Sequence, residues 1–179
     1  MLRATFDEPT KCRSHARGAV TLRLAMGAAA PQRGSPMQIE RAHADDCAAV
    51  EALLTLNRLP VDGLAGHTDT LLVARENGRV IGTSALEIYA DGALLRSVAV
   101  DPAVHGRGIG VAVTEAALRL AADRGIKDVF LLTTTAPQFF PRFGFETITR
   151  EDVPPSVRTS IEFTSVCCAS AVVMRKRLP

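Results

Sequence analysis

The stretch best equipped for chemistry is Val98-Ala99-Val100-Asp101-Pro102-Ala103-Val104-His105-Gly106-Arg107-Gly108-Ile109-Gly110. An apolar run ends there, the chain turns at Asp101-Pro102, and three glycines lead into a helical pattern. Backbone amides at such a helix start point into a concavity, and with the helix dipole they favour an anion such as phosphate; glycine allows close approach. Arg107 adds a cation. The glycines alone fit a flexible strand–helix connection equally well, for they match neither Gly-x-Gly-x-x-Gly nor a Gly-Lys-Ser/Thr loop. The cysteines (Cys12, Cys47, Cys167, Cys168) and the histidines have no zinc-site spacing, so no metal is expected. His43 and His67 stand alone and receive no role.

The elements around this loop can be read from periodicity. Met37 to Arg41 alternates as a short strand, and Asp45 and Asp46 open a helix with Ala49, Val50, Leu53 and Leu54 at helical spacing. Leu59 to Leu64 reads as a loop. Thr70 to Ala74, Arg79 to Tyr89 and Ala93 to Val100 form an antiparallel meander with turns at Asn77-Gly78 and Asp91-Gly92. Gly108 to Arg124 is a helix with Ile109, Val113, Ala116, Ala117, Leu120 and Ala121 on one stripe. Lys127 to Thr134 is a buried strand, Ala136 to Phe143 a short helix interrupted near Pro141, and Gly144-Phe145 starts another strand. Residues 151–166 are a connection with a helical turn expected after Pro154-Pro155, and Ala169 to Met174 ends the sheet. The order is β-α-β-β-β-α-β-α-β-β, an α+β fold with a mixed, mostly antiparallel sheet. A Rossmann loop follows a first strand, whereas this loop follows a meander.

Of 179 residues, 47% are hydrophobic and 22% charged, which suits a folded globular chain. The net charge of +2 is too small to argue for nucleic acid or an anionic membrane surface. No stretch approaches the ~20 apolar residues of a membrane span. Residues 1–36 hold six basic residues against Asp7 and Glu8. Arg23 interrupts the apolar region a secretory signal would need, and an Arg-rich organelle transit peptide fits the bias better. The expectation is a disordered or non-native extension, with the domain at 37–179 and Met37 a natural start. A cytoplasmic protein with reduced thiols is expected.

Residues 98–110 resemble motif A of the GNAT superfamily of N-acetyltransferases, Arg/Gln-x-x-Gly-x-Gly/Ala, with Gly108 and Gly110 in the glycine positions. Ala136-Pro137-Gln138-Phe139-Phe140-Pro141-Arg142-Phe143-Gly144-Phe145 resembles the family's Ala-x-x-Phe-Tyr-x-x-x-Gly-Phe segment. The resemblance spans Met37 to Leu178 and implies acetyl-CoA as cosubstrate. It implies that backbone groups of Val98, Ala99 and Val100 pair with the pantetheine arm. The amides of His105, Gly106, Arg107, Gly108, Ile109 and Gly110 would hold the pyrophosphate, and Phe139, Phe140 and Arg142 would flank the thioester end. A splay between the strand ending at Val100 and the one starting at Lys127 would make room for the arm. Two positions depart from the pattern: His105 replaces Arg or Gln, and Phe140 replaces the Tyr that protonates the leaving thiolate.

Leu95-Arg96-Ser97-Val98-Ala99-Val100, Leu131-Leu132-Thr133-Thr134-Thr135-Ala136, Glu162-Phe163, Cys167-Cys168-Ala169-Ser170-Ala171 and Met174 are similar to the arsenic-resistance-associated N-acetyltransferase family, with Cys168 where Pro is expected. They are more loosely similar to stand-alone glutamate-type amino-acid N-acetyltransferases. The resemblance implies acetylation of an amino-acid-like amine, such as an arsenical or phosphinic glutamate mimic. The alternatives are a glutamate-type amino-acid acetyltransferase and a non-catalytic acetyl-CoA sensor. Attack on a thioester needs a neutral amine, hence a base and donors for the carbonyl. Glu87 is expected as base or amine anchor and Arg96 as clamp for a substrate carboxylate, unless the two form a structural ion pair. Thr133 and Thr134 sit where the cleft should open, though β propensity also explains them. Adjacent strand residues point to opposite faces, which disfavours arsenic chelation by Cys167 and Cys168. The expected partner is a small-molecule amine, with neither nucleic acid nor membrane expected and a homodimer left open.

Overall fold

The computed structural model describes residues 36–166 and 170–179. The expected N-terminal extension and the Cys167-Cys168 pair lie outside the described residues. Seven strands form one mixed sheet in the order β1-β2-β3-β4-β5-β7-β6. They are β1 (Gln38–Arg41), β2 (Leu72–Glu76), β3 (Arg79–Tyr89), β4 (Gly92–Val100), β5 (Asp128–Thr133), β6 (Glu146–Ile148) and β7 (Val172–Arg177). Two α-helices interrupt them, α1 (Cys47–Leu56) and α2 (Ile109–Asp123).

The β2–β3–β4 meander follows from its turns: Asn77 and Gly78 both adopt positive φ, as a two-residue hairpin requires. The sheet then changes character. β4 and β5 run parallel and register only through Ala93↔Val129 and Leu94↔Phe130. Beyond those pairs the two strands part, giving the expected splay. Gly82 in β3 allows α2 to seat against the sheet, since a β-carbon there would lie 2.7 Å from the Ile109 side chain.

The core occupies both faces. On one, α2 buries Ile109, Val113, Thr114, Ala117, Leu118 and Ala121, and Ala117 and Leu118 join Leu86, Leu95, Leu131, Phe140 and Phe145. This stripe is rotated from the expected one, with Ala116 and Leu120 only partly buried. On the other, α1 packs Val50, Leu53 and Leu54 against Leu71, Val73 and Ala85, while Val153 and Val157 cover Leu94 and Phe130.

Several boundaries differ from expectation for identifiable reasons. Leu64–Thr70 is a 3-10 segment that replaces part of the expected loop and strand; the Thr70 hydroxyl at its end donates to the Leu86 carbonyl of β3. Only Phe140–Phe143 is helical within 136–143, because Pro141 has no N–H to extend a longer helix. The last strand extends through Arg175, Lys176 and Arg177, whose backbones pair with Phe130, Val129 and Asp128. Pairing between two strands outweighs their charge.

Helix α1 ends in a double-bonded cap: the Leu59 N–H donates to the Leu54 carbonyl and the Arg58 N–H to the Thr55 carbonyl. This geometry puts Arg58 at φ 56°. Such a left-handed backbone suits glycine and costs a residue bearing a β-carbon about 1–2 kcal/mol.

Candidate active site

Two grooves meet at β4. The larger, about 580 Å³, is lined by Val98, Ala99, Val100, the turn at 104–106, residues 108–111, and Thr135, Ala136, Phe139, Phe140 and Arg142. The smaller, about 220 Å³, is lined by Arg58, Leu59, Pro60, Leu94–Ser97, Leu132–Thr135, Glu162 and Ala171. Leu59 and Thr135 border both.

A bulge in β4 makes the junction. Thr83 pairs with Ala99 and Ala85 with Arg96, so Ser84 alone opposes Ser97 and Val98. Ser97 sits at φ 55°, an unusual value for a residue with a side chain. Such an insertion takes a backbone unit out of the ladder and bends the strand. Ser97 therefore lines the small groove while Val98 lines the large one.

The large groove has the character of an anion site at one end. Gly106 (φ 80°) and Gly108 (φ 78°) need left-handed backbones, and no atom lies within 4 Å of where their β-carbons would be. Ala112 makes the first intrahelical bond of α2, to the Gly108 carbonyl, so the amides of Ile109, Gly110 and Val111 have no acceptor within the helix. His105 plays a local part, with Nε2 3.1 Å from the Val100 carbonyl. The Arg107 side chain is held elsewhere than expected: its guanidinium makes a two-pronged pair with Glu76 at 2.5 and 3.0 Å and does not line the groove. Only its backbone remains a candidate for the ligand.

At the other end Phe140 is buried and packs edge-on against Phe139 at 5.1 Å and Phe145 at 5.9 Å. The Arg142 guanidinium lies 4.8 Å from the centre of the Phe139 ring. All three expected residues thus line the groove, and the ring at 140 is a phenyl with no proton to give.

Beside the small groove is a buried charge cluster. Glu87 and Arg96 occupy diagonal positions on the same face of β3 and β4, and Arg96 Nη1 lies 2.5 Å from Glu87 Oε1. The Tyr89 hydroxyl donates to Glu87 Oε2 at 2.5 Å, and His67 Nε2 is 3.6 Å from Oε1. Burial works against ionisation of Glu87, but hydrogen bonds from Ser160, Tyr89 and Arg96 outweigh it and hold the carboxyl below its usual range. The Tyr89 phenol is pushed up to about 12 by burial and by Glu87.

Arg96 is similarly occupied. It donates to Ser97 Oγ, Glu87 and the Asp62 carbonyl, and Nη2 lies 2.7 Å from Glu162 Oε1. Gly63 permits this packing, since a β-carbon there would approach Arg96 Nη1 to 3.1 Å. Of the expected substrate residues, Arg96, Thr133 and Thr134 line the small groove and Glu87 does not. The Glu87–Arg96 contact is the ion pair weighed in the sequence as the alternative to a base and a carboxylate clamp, with Arg96 on one carboxylate oxygen and Tyr89 on the other.

Glu162 is the residue that sequence reasoning missed. It lines the groove at the start of a π-helical turn, Glu162–Val166, in the connection read as a loop. Burial raises its pKa, Arg96 opposes the rise, and Glu87 and Asp62 add to it; the net direction is upward. In the sequence, Glu162-Phe163 carries meaning only through its resemblance to other acetyltransferases. No group of His, Cys, Asp and Glu among the described residues could hold a metal, and no helix among them is long and apolar enough to cross a membrane.

Comparison with known proteins finds the same architecture in acetyltransferases. An acetyltransferase (GNAT) domain model matches residues 67–147. The chain is 43% identical over 72 residues to a Mycobacterium tuberculosis protein named amino-acid acetyltransferase, covering 40% of this chain and 41% of that relative. It is 33% identical over 98 residues to an uncharacterized N-acetyltransferase of Chlorobaculum tepidum, covering 54% and 63%. The match thus spans less than two thirds of either relative. A solved M. tuberculosis structure in complex with CoA superposes with a TM-score of 0.69 at 28% identity, covering 79% of this chain and 99% of that one. The N-acetylglutamate synthase of Neisseria gonorrhoeae shares the fold, with a TM-score of 0.70 at 22% identity, over 81% of this chain and 36% of that one. Sheet splay, glycine loop and sequence match agree on one architecture, and the chain has the GNAT acetyltransferase fold.

Proposed function

We propose that the protein transfers the acetyl group of acetyl-CoA to the amino group of a small, amino-acid-like substrate. The observation that carries this reading is the meeting of two grooves at the Ser97–Val98 bulge, one suited to a long phosphorylated ligand and the other to a small polar one. The large groove fits acetyl-CoA: the open glycine cradle and the free amides of 109–111 suit a pyrophosphate, and Val98–Val100 offer a strand edge without a β5 partner to the pantetheine amides, the Val100 carbonyl alone being engaged by Asn57 and His105. Bound there, acetyl-CoA supplies an activated acyl thioester. The M. tuberculosis structure with CoA supports this assignment.

The small groove, at about 220 Å³, lies below the ~300–1,000 Å³ of drug-sized pockets and suits a compact amine. Glu162 accepts the proton that the amine sheds as its nitrogen bonds to the acetyl carbon, and returns it to the CoA sulfur as the C–S bond breaks: it lines the groove, and its raised pKa makes it a better base than an ordinary carboxylate. Glu87 and Arg96 are positioning residues that hold Glu162 through the 2.7 Å contact. Backbone amides released by the bulge polarise the thioester carbonyl. Thr133 and Thr134 are hydroxyl contacts for the substrate.

The name of the M. tuberculosis relative supports an amino-acid substrate for this chain. The finer reading, an arsenical or phosphinic glutamate mimic, rests on the resemblance of residues 95–100, 131–136 and 162–163. Thiol release monitored over amino acids and such mimics, with mass spectrometry of the products, tests both levels. Acetylated product from an amino acid is expected; tight acetyl-CoA binding with no acetylated amine would leave the sensor reading instead.

A further inference from the structure

We infer that Arg58 binds the carboxylate of the amine substrate and so selects α-amino acids over other small amines. The inference rests on the acetyltransferase reading and adds the specificity element that reading lacks, since Arg96 has its donors engaged within the protein.

Three observations converge on Arg58. It lines the small groove together with Glu162, Thr133 and Thr134. Its side chain makes no hydrogen bond or ion pair among the described residues, whereas Arg96 in the same groove donates to Ser97, Glu87 and Asp62 and pairs with Glu162. It also occupies the left-handed closing position of the α1 cap at φ 56°, where glycine would sit without strain. The cap itself is made by backbone bonds of Arg58 and Leu59, so the side chain contributes nothing to it. A strained backbone carrying an unpaired guanidinium at a groove is a reason to look for a ligand, and the groove's chemistry names it.

That chemistry has two poles. The cation of Arg58 and the carboxyl of Glu162 border one small cavity, with threonine hydroxyls between the flanking strands. An α-amino acid presents a carboxylate and an amine a few bonds apart, and a guanidinium is a planar, permanently charged partner for a carboxylate. The amine then faces Glu162 and the bulge, where the transfer occurs. An amine without a carboxylate leaves Arg58 unused and gains nothing from it.

Arg58→Gly is the informative variant because it removes the guanidinium and relieves the backbone strain together, so it should fold at least as well as the parent. Acetylation kinetics are measured for parent and variant with the twenty L-amino acids and their α-amides, alongside thermal melting. The expected result is a KM for carboxylate substrates raised roughly ten- to a hundredfold in the variant, with kcat little changed. The KM for α-amides should be unaltered and Tm unchanged or higher. An equal KM rise for acids and amides would mean a structural role for the turn and overturn the inference, as would an unchanged KM for the acids. A parent enzyme that acetylates only amines lacking a carboxylate would overturn the role of Arg58 and leave acetyl transfer standing. Absence of turnover for every amine would overturn both.

Discussion

Two carboxylates in contact with one arginine have been given opposite tasks. Glu87 is engaged on both oxygens and held ionised; Glu162 is pushed toward neutrality by burial and borders the groove. Glu162→Gln should therefore lower kcat by about 10²–10⁴-fold. Because the carboxyl must be deprotonated to act, the parent kcat/KM should rise with pH through a value above the ordinary carboxylate range, and this limb should vanish in the variant. A pH–rate profile of both proteins checks the assignment, and an unchanged acid limb would exclude Glu162 as the base. Glu87→Gln should act mainly on stability, by removing one of the two carboxylates that neutralise the buried Arg96 while Glu162 remains as the other. The pH sign follows from the lowered carboxyl of Glu87: its contribution is present above the unfolded pKa and lost as pH falls through the folded value. Urea unfolding across the acid range should show that loss in the parent and not in the variant.

At the level of elements, the seating of α2 controls the anion cradle. Gly82→Ala brings a β-carbon against Ile109, the first residue of the helix, so the helix start must shift. Acetyl-CoA affinity should fall while the amine KM, set at the other groove, changes little; calorimetric titration with CoA checks this. The same elements show what was legible in the sequence. The meander could be read because Asn77-Gly78 and Asp91-Gly92 are local turn chemistry, and the cradle because glycine spacing reports backbone geometry. Glu162 could not be assigned, because 151–166 has no periodicity and the residue meets Arg96 only through tertiary folding. Arg58 was equally silent: its left-handed backbone is imposed by the α1 cap, and arginine is not a residue that advertises such a turn. The neutralisation of Arg96 by Glu87, Asp62 and Glu162 is likewise a three-dimensional fact.

For the molecule as a whole, the described fold begins at its first strand, with Met37 packed against the cluster of Ala74, Ile81, Ile109 and Val113. We propose 37–179 as the folding unit, in keeping with the composition of residues 1–36. A chain starting at Met37 should retain its Tm and its acetyl-CoA affinity; a lower value of either would assign the preceding residues a part in the domain. Ligand and stability are also linked, since binding to the folded state alone raises stability as RT ln(1 + [L]/Kd).

The parting of β4 from β5 carries a further consequence. After Leu94 and Phe130 the two strands expose unpaired backbone toward each other, and unpaired backbone is ordinarily an invitation to aggregation. Here that edge faces inward, between strands still joined at one end, where a second protein strand with its side chains cannot enter without prying β4 from β5. A thin chain of amides can. The protein thus keeps a sticky edge that only a slender visitor can reach, and saturating it with CoA should delay the onset of heat-induced aggregation, a change that light scattering during a thermal ramp would record.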